Sequence, residues 1–198
     1  MDSRPKGLLP LPDGTFVLER MVRICREAGV GAVHVVVGHE AERHRTRLQG
    51  IPAVVVENPA WESGRTSSVK VGLRSLPPGT SACLLWPVDA PLVRSSTVQA
   101  LLQRERGRAP GAHWTVPLNR GRRGHPVLLT SATFAAVEAL GDPEPLFRIP
   151  RDHPEWVEVV ELGDPGTTEN TDDPEAFLQA LQRLSKERAG PGDGATDP

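Results

Sequence analysis

Apolar positions along this chain fall into short blocks of two kinds. In the first kind they recur every three or four residues. Phe16, Leu18, Met21, Val22, Ile24 and Cys25 lie mainly on one face of a helix, with Thr15 as its N-cap and Gly29 and Gly31 at its end. The second kind is continuous and β-branched. Ala32-Val33-His34-Val35-Val36-Val37 and Ala53-Val54-Val55-Val56 read as strands covered on both faces, as in a parallel sheet. Ala82-Cys83-Leu84-Leu85-Trp86-Pro87-Val88 is a third such run; Asp89 follows it and Pro91 stops it. Between these runs, residues 40–48 are charged and helical, and Val69, Val71 and Leu73 belong to a helix that Pro77-Pro78-Gly79 breaks. Further along, the pattern predicts a helix over 95–106, strands over 113–118 and 125–129, a helix over 132–140 and an alternating strand over 156–162. Residues 119–124 suit either a hairpin or a wider loop, and an irregular, proline-rich piece separates the 132–140 helix from the last strand. A last amphipathic helix covers 175–187, and 189–198 reads as a disordered, solvated tail.

Strands alternate with helices from residue 15 to residue 106. That order predicts right-handed crossovers and a three-layer α/β fold with a mainly parallel, Rossmann-like sheet. The later strands have shorter, irregular connections, which predicts an antiparallel addition. No internal repeat or linker divides the chain, so residues 1–188 are expected to form a single domain.

Composition narrows the classes. Hydrophobic residues make up 38% of 198, enough for one core. A net charge of −2 and a pI near 6.3 argue against non-specific nucleic-acid binding. The two cysteines, Cys25 and Cys83, both fall in apolar patterns. They suggest neither a disulfide framework nor a cysteine zinc site, and so a reducing, cytoplasmic setting is expected. No run approaches the ~20 apolar residues needed to cross a membrane.

The candidate chemistry starts at Asp89. In open α/β sheets, ligands sit just beyond the carboxyl ends of the strands. A carboxylate there suits a metal and a phosphate; it suits equally a turn aspartate capping the helix that begins near Arg94. The loop Asn58-Pro59-Ala60-Trp61-Glu62-Ser63-Gly64 runs into Ser67 and Ser68, natural first-turn residues whose open N–H groups suit an anion or a polar ligand edge. A plain helix cap explains them as well. Arg120, Arg122 and Arg123 suit either attraction of an anionic substrate or a solvated loop.

Six segments, in one order, resemble one family, the MobA-like nucleotidyltransferases, especially their molybdenum-cofactor cytidylyltransferase branch. They are Arg4-Pro5-Lys6-Gly7-Leu8-Leu9-Pro10-Leu11, Val35-Val36-Val37-Gly38-His39, Asn58 to Gly64 with Ser67-Ser68-Val69, Val88-Asp89-Ala90-Pro91-Leu92-Val93, Gly124-His125-Pro126-Val127-Leu128, and Asn170-Thr171-Asp172-Asp173-Pro174-Glu175. The resemblance spans roughly residues 4–180. It implies the fold of nucleotide-diphospho-sugar transferases and transfer of a nucleoside monophosphate from an NTP, CTP favoured, to a phosphorylated acceptor such as molybdopterin cofactor, with release of pyrophosphate. It implies Mg²⁺ held by Asp89 and Asp172, with Asn170 or Asp173 as alternatives to Asp172, because the family's Asp-x-Asp-Thr-Pro pattern is altered here. It further implies that Lys6 contacts the NTP phosphates, that Gly64 and Ser68 lie against the nucleotide, and that Gly124 and His125 receive the acceptor. A molybdoenzyme or its chaperone would then be a partner.

The family also opens with a buried strand and a glycine-rich, phosphate-cradling loop of the form Leu-Ala-Ala-Gly-x-Ser-x-Arg-Met-Gly. Neither is present among these residues. The expectation is that this strand would lie between the strands at 32–37 and 82–88, leaving two edges unpaired without it. A longer natural chain, a strand supplied by another chain, or an inactive paralogue that binds a cofactor or partner would each account for this. The 198 residues by themselves are expected to bind NTP weakly or not at all. A sugar phosphate or other phosphate acceptor is a further option.

Overall fold

The computed structural model describes residues 5–169 and, beyond them, 177, 179, 181 and 182. In chain order the elements are α1 (Val17–Glu27), β1 (His34–Val37), α2 (Ala41–Arg47), β2 (Val54–Glu57), α3 (Arg65–Ser75), β3 (Ala82–Leu85), α4 (Ser95–Arg106), β4 (Trp114–Asn119), β5 (Arg122–Arg123), β6 (Val127–Thr130), α5 (Phe134–Ala139), α6 (Arg148–Asp152) and β7 (Val157–Glu161). The mixed α/β architecture expected from the alternation of patterns is present.

Some local expectations are corrected. Helix α1 starts at Val17, and its N-cap position is Phe16 rather than Thr15. Thr15 instead turns back on Asp13, donating from N (3.1 Å) and Oγ1 (2.5 Å) to Asp13 Oδ1. The short side chains thus satisfy a turn in place of a helix end. Strand β3 stops at Leu85, because Trp86 folds over and donates from Nε1 to the Ala90 carbonyl at 2.8 Å. Residues 119–124 form a hairpin in which Leu118 faces Arg123 and Asn119 faces Arg122. Its two turn residues, Arg120 and Gly121, both have positive φ (50° and 76°), as tight hairpins require. Helix α6 lies in the piece that reads as irregular. Pro150 is its third residue, where a missing N–H costs no intrahelical bond.

The larger sheet has the order β3-β6-β4-β5, with β7 added parallel to β4. Strand β6 runs antiparallel to both β3 and β4, so β3, β4 and β7 share one direction. Strands β1 and β2 pair in parallel as a separate two-stranded sheet. Among the described residues, no pairing joins β1 to β3.

The same helices nevertheless cover both sheets. On one face, Val22 of α1 shares a core with Val35 and Val37, while Ile24 of the same helix packs in a cluster with Leu84, Val93 and Val98. On the other face, Val69 and Leu73 of α3 pack with Cys83, Leu85 and Trp114. Gly72 of α3 faces β1, and a Cβ there would come within 3.1 Å of Val36 Cγ2. The backbone phase follows from the hydrogen bonds. The carbonyls of Val33 and Val37 accept from Val54 N and Asn58 N at 2.8 Å each, so His34 and Val36 direct their backbone groups to the other edge. Ser81 O accepts from Ser131 N at 2.8 Å, so Ala82 and Leu84 likewise point away from β6. All four residues of β3 remain only partly buried although helices lie over both faces. Among the described residues, the edge of β1 away from β2 and the edge of β3 away from β6 carry no strand pairing, and the same helices cover both.

Candidate active site

The carboxyl ends of β1, β2 and β3 lead into the loops that carry the candidate residues. After β3 the chain turns sharply, with Ala90 N donating to Pro87 O at 3.2 Å. Ala90, Leu92 and Val93 are buried behind the turn. Asp89 is therefore held by its neighbours while its carboxylate stays 19% exposed, and both of its oxygens have partners. Lys6 Nζ donates to Oδ1 at 2.9 Å, and Arg65 Nη2 to Oδ2 at 3.3 Å.

Lys6 comes from a single 3₁₀ turn, Lys6–Leu8, seated on α1. Gly7 is needed for that seat, since a Cβ there would lie 2.7 Å from Leu18 Cδ1. Arg65 is the first residue of α3. Nothing periodic in the sequence links it to a carboxylate 24 positions away, so only the fold reveals the pair.

Gly64 precedes Arg65 with φ at +132°, a conformation that side chains disfavour, and a Cβ there would collide with the Asp142 carbonyl. That neighbouring loop is clamped to α3. Lys70, buried, donates from Nζ to Leu140 O (2.5 Å) and Asp142 Oδ1 (2.9 Å), and Ser63 Oγ reaches Asp142 Oδ2 at 3.2 Å. Its lysine and serine partners hold the Asp142 carboxyl below the usual range. Ser68 accepts from Asn58 Nδ2 at 2.9 Å, as does Ser67. Asn58 is fully buried and also accepts from Ala60 N through Oδ1 at 3.0 Å. The amide thus fixes the start of α3 to the end of β2. Ser68 is partly buried in this network.

Gly124 and His125 lie between β5 and β6. A Cβ on Gly124 would collide with the Thr167 carbonyl, and His125 N donates to that same carbonyl at 2.8 Å. The His125 ring is mostly buried and its Nδ1 has no hydrogen-bond partner. Burial, and then the positive charge of Arg65, lower its pKa below 6.5, while Asp89 opposes them. The charges of the Asp89 cluster therefore reach His125. Arg122 and Arg123 are exposed on the hairpin, and Arg120 N donates to Glu161 Oε1 at 3.2 Å.

A residue with no separate sequence signal organises this side. Asp164 is buried at 3% exposure and accepts from Arg94 N (2.9 Å), Thr97 Oγ1 (2.6 Å) and Gly166 N (3.0 Å). It caps α4 from a distance and pins the segment 164–169 behind His125. Asp172, with Asn170 and Asp173, lies outside the described residues.

Among the described residues, no group of three His, Cys, Asp or Glu side chains could hold a metal ion. An all-protein cage is thus not formed by them. Asp89 offers a hard oxygen donor at the rim of the sheet. That fits Mg²⁺, which commonly binds through one or two carboxylates and completes its shell with phosphate oxygens and water.

Among the described residues, the site is thus a carboxylate beyond a strand's carboxyl end in an α/β fold, with Lys6 and Arg65 on its oxygens. The chain belongs to the MobA-like NTP transferase domain family, which matches residues 1–156, and so to the nucleotidyltransferases. A bifunctional IPC transferase and DIPP synthase from Rubrobacter xylanophilus is 42% identical over 78 residues, 38% of this chain. The chain spans only 18% of that curated relative's length along the match. Among solved structures, a manganese complex of a Mycobacterium tuberculosis H37Rv protein is 22% identical with a TM-score of 0.70, covering 91% of this chain and 93% of its own. CMP:2-keto-3-deoxy-manno-octonic acid synthetase complexed with CTP is 14% identical with a TM-score of 0.74, covering 94% and 95%. These two likenesses are likenesses of fold. No helix among the described residues is long and apolar enough to cross a membrane.

Proposed function

We propose that this protein transfers a nucleoside monophosphate from CTP to a phosphorylated acceptor, molybdopterin cofactor being favoured, and releases pyrophosphate. The observation that carries the reading is the Lys6–Asp89 pair at the carboxyl end of β3, in a chain of this family. In such a transfer an acceptor phosphate oxygen forms a bond to the α-phosphorus. The bond from that phosphorus to the bridging oxygen breaks, and pyrophosphate carries the electron pair away. Both reactants are anions, so positioning and charge neutralisation supply most of the catalysis. Asp89, with Asp172 as the second carboxylate, would hold Mg²⁺, which supplies charge neutralisation at the phosphate oxygens. Lys6, already beside Asp89, places a cation where the triphosphate lies. Gly64 and Ser68 line the nucleotide side. Gly124 and His125 line the acceptor side, where a mostly neutral imidazole can exchange hydrogen bonds with a phosphate or pterin. The CTP-bound structural relative and the manganese-bound one support a cytidine nucleotide and a divalent cation respectively.

The separation of β1 from β3 favours a second reading, a chain that binds cofactor or partner without turnover. The test is pyrophosphate release from CTP and Mg²⁺ with molybdopterin cofactor, set beside GTP and beside sugar-phosphate acceptors. Acceptor-dependent release that vanishes in Asp89→Asn supports transfer. Cofactor binding without release supports the second reading. Release that survives Asp89→Asn removes Asp89 from the mechanism.

A further inference from the structure

Both oxygens of Asp89 are engaged, by cations of different character. Lys6 is 38% exposed and rises from a turn packed on α1. Arg65 is 90% exposed, and its 3.3 Å contact is long for a charge-assisted bond, which commonly measures about 2.7–2.9 Å. Its Cα is fixed as the first residue of α3, next to Gly64, whose backbone is wedged against Asp142. Its guanidinium, by contrast, has Asp89 as its hydrogen-bond partner among the described residues. Its charge also reaches His125.

Resting on the reading of Asp89 as a metal carboxylate, we infer that Arg65 is a displaceable counter-ion of Asp89 that becomes a phosphate-binding side chain once a divalent cation takes the carboxylate. The reasons are electrostatic. A carboxylate oxygen shared with a divalent cation no longer favours a guanidinium beside it, because the two positive charges repel. The released fork of five N–H donors matches phosphate oxygens in the plane and cannot lose its charge. Arg65 therefore opposes cation binding in the absence of phosphate and favours phosphate in the presence of the cation. The two ligands become positively coupled through one side chain.

The test uses the whole chain as wild type, Arg65→Gln, Arg65→Lys and Asp89→Asn. Mn²⁺ alone is titrated by electron paramagnetic resonance of the free ion. Pyrophosphate is then titrated by calorimetry at saturating Mn²⁺. Arg65→Gln is expected to bind Mn²⁺ alone about two- to fivefold tighter, the size of a lost exposed ion pair. It is expected to bind pyrophosphate about tenfold more weakly, the size of a lost bond to a charged group. Arg65→Lys keeps the charge without the fork and recovers part of the pyrophosphate affinity. Arg65 is exposed, so these variants keep the wild-type Tm. If Asp89→Asn loses Mn²⁺ affinity while Arg65→Gln leaves either affinity unchanged, the inference is overturned and the reading of Asp89 stands. If Asp89→Asn loses no Mn²⁺ affinity, that reading fails first.

Discussion

Asp164 is a buried carboxylate that accepts from Arg94 N, Thr97 Oγ1 and Gly166 N at 2.9, 2.6 and 3.0 Å. Replacing it by alanine leaves two backbone donors and one hydroxyl without acceptors in a site that solvent does not reach. Bonds to charged groups contribute about 1.5–3 kcal/mol each, and a lost helix cap alone costs about 0.5–2 kcal/mol. The three share one carboxylate and do not add, so a loss of about 3–5 kcal/mol is expected. Against a typical stability of about 5–15 kcal/mol, that is a large fraction. For a chain of this size each kcal/mol moves Tm by about 2–4 °C, so Asp164→Ala should melt roughly 10 °C lower. Asp164→Asn keeps one acceptor oxygen and should lose about half as much. Urea unfolding followed by circular dichroism checks the size, with the midpoint falling and the slope unchanged. The variant should also loosen the Thr167 carbonyl that receives His125 N. A loss below about 1 kcal/mol for Asp164→Ala would refute the capping argument, because burial and three short bonds could not then be energetically coupled.

Gly124→Ala forces a Cβ into the Thr167 carbonyl and should cost about 1–3 kcal/mol by overpacking, read as a lower urea midpoint; an unchanged midpoint would mean the hairpin yields freely. His125 has its pKa lowered below 6.5 by burial and Arg65, so its neutral form favours the folded state. That contribution is fully present above the unfolded value and fades as pH falls through 6.5 toward the lower folded pKa. His125→Gln should therefore lose less stability between pH 7.5 and 5.5 than the wild type, and equal losses would show that another group governs the window. Burial pushes the Cys25 and Cys83 thiols up to about 11 and about 12. Both should resist a thiol-specific disulfide reagent at pH 8 in the native protein and react in urea; rapid native labelling of Cys83 would show that the open edge of β3 admits reagent.

Much of the frame was legible because its causes are local. The β-branched runs at β1 and β2 and the apolar run at β3 fix strands by period and composition alone. The apolar stripe of Met21, Val22, Ile24 and Cys25 fixes α1, and all four are buried. The glycines at 64 and 124 sat in motifs, and each proves to abut a backbone carbonyl. Local causes also misled where two local solutions compete. Thr15 can cap a helix or close a turn with Asp13, and both are short-range choices that the sequence does not rank. Helix α6 was hidden by a proline whose position in the first turn makes it harmless.

What only the tertiary structure decided is which distant groups meet. Arg65 reaches Asp89, Lys70 reaches Asp142, and Asp164 reaches Thr97 across separations of 24, 72 and 67 positions. Hydrogen bonds and ion pairs act over a few ångströms and leave no period in the chain, so no pattern announces them. Which of the late strands runs antiparallel belongs to the same category: β6 does so against β3 and β4 while β7 runs parallel to β4, since pairing partners are chosen by packing rather than by the strand's own residues. Asp89 shows both halves. Its place at a strand's end was written in the apolar run before it, whereas Lys6 and Arg65 meet its oxygens only because a turn before α1 and the first residue of α3 arrive at the same edge.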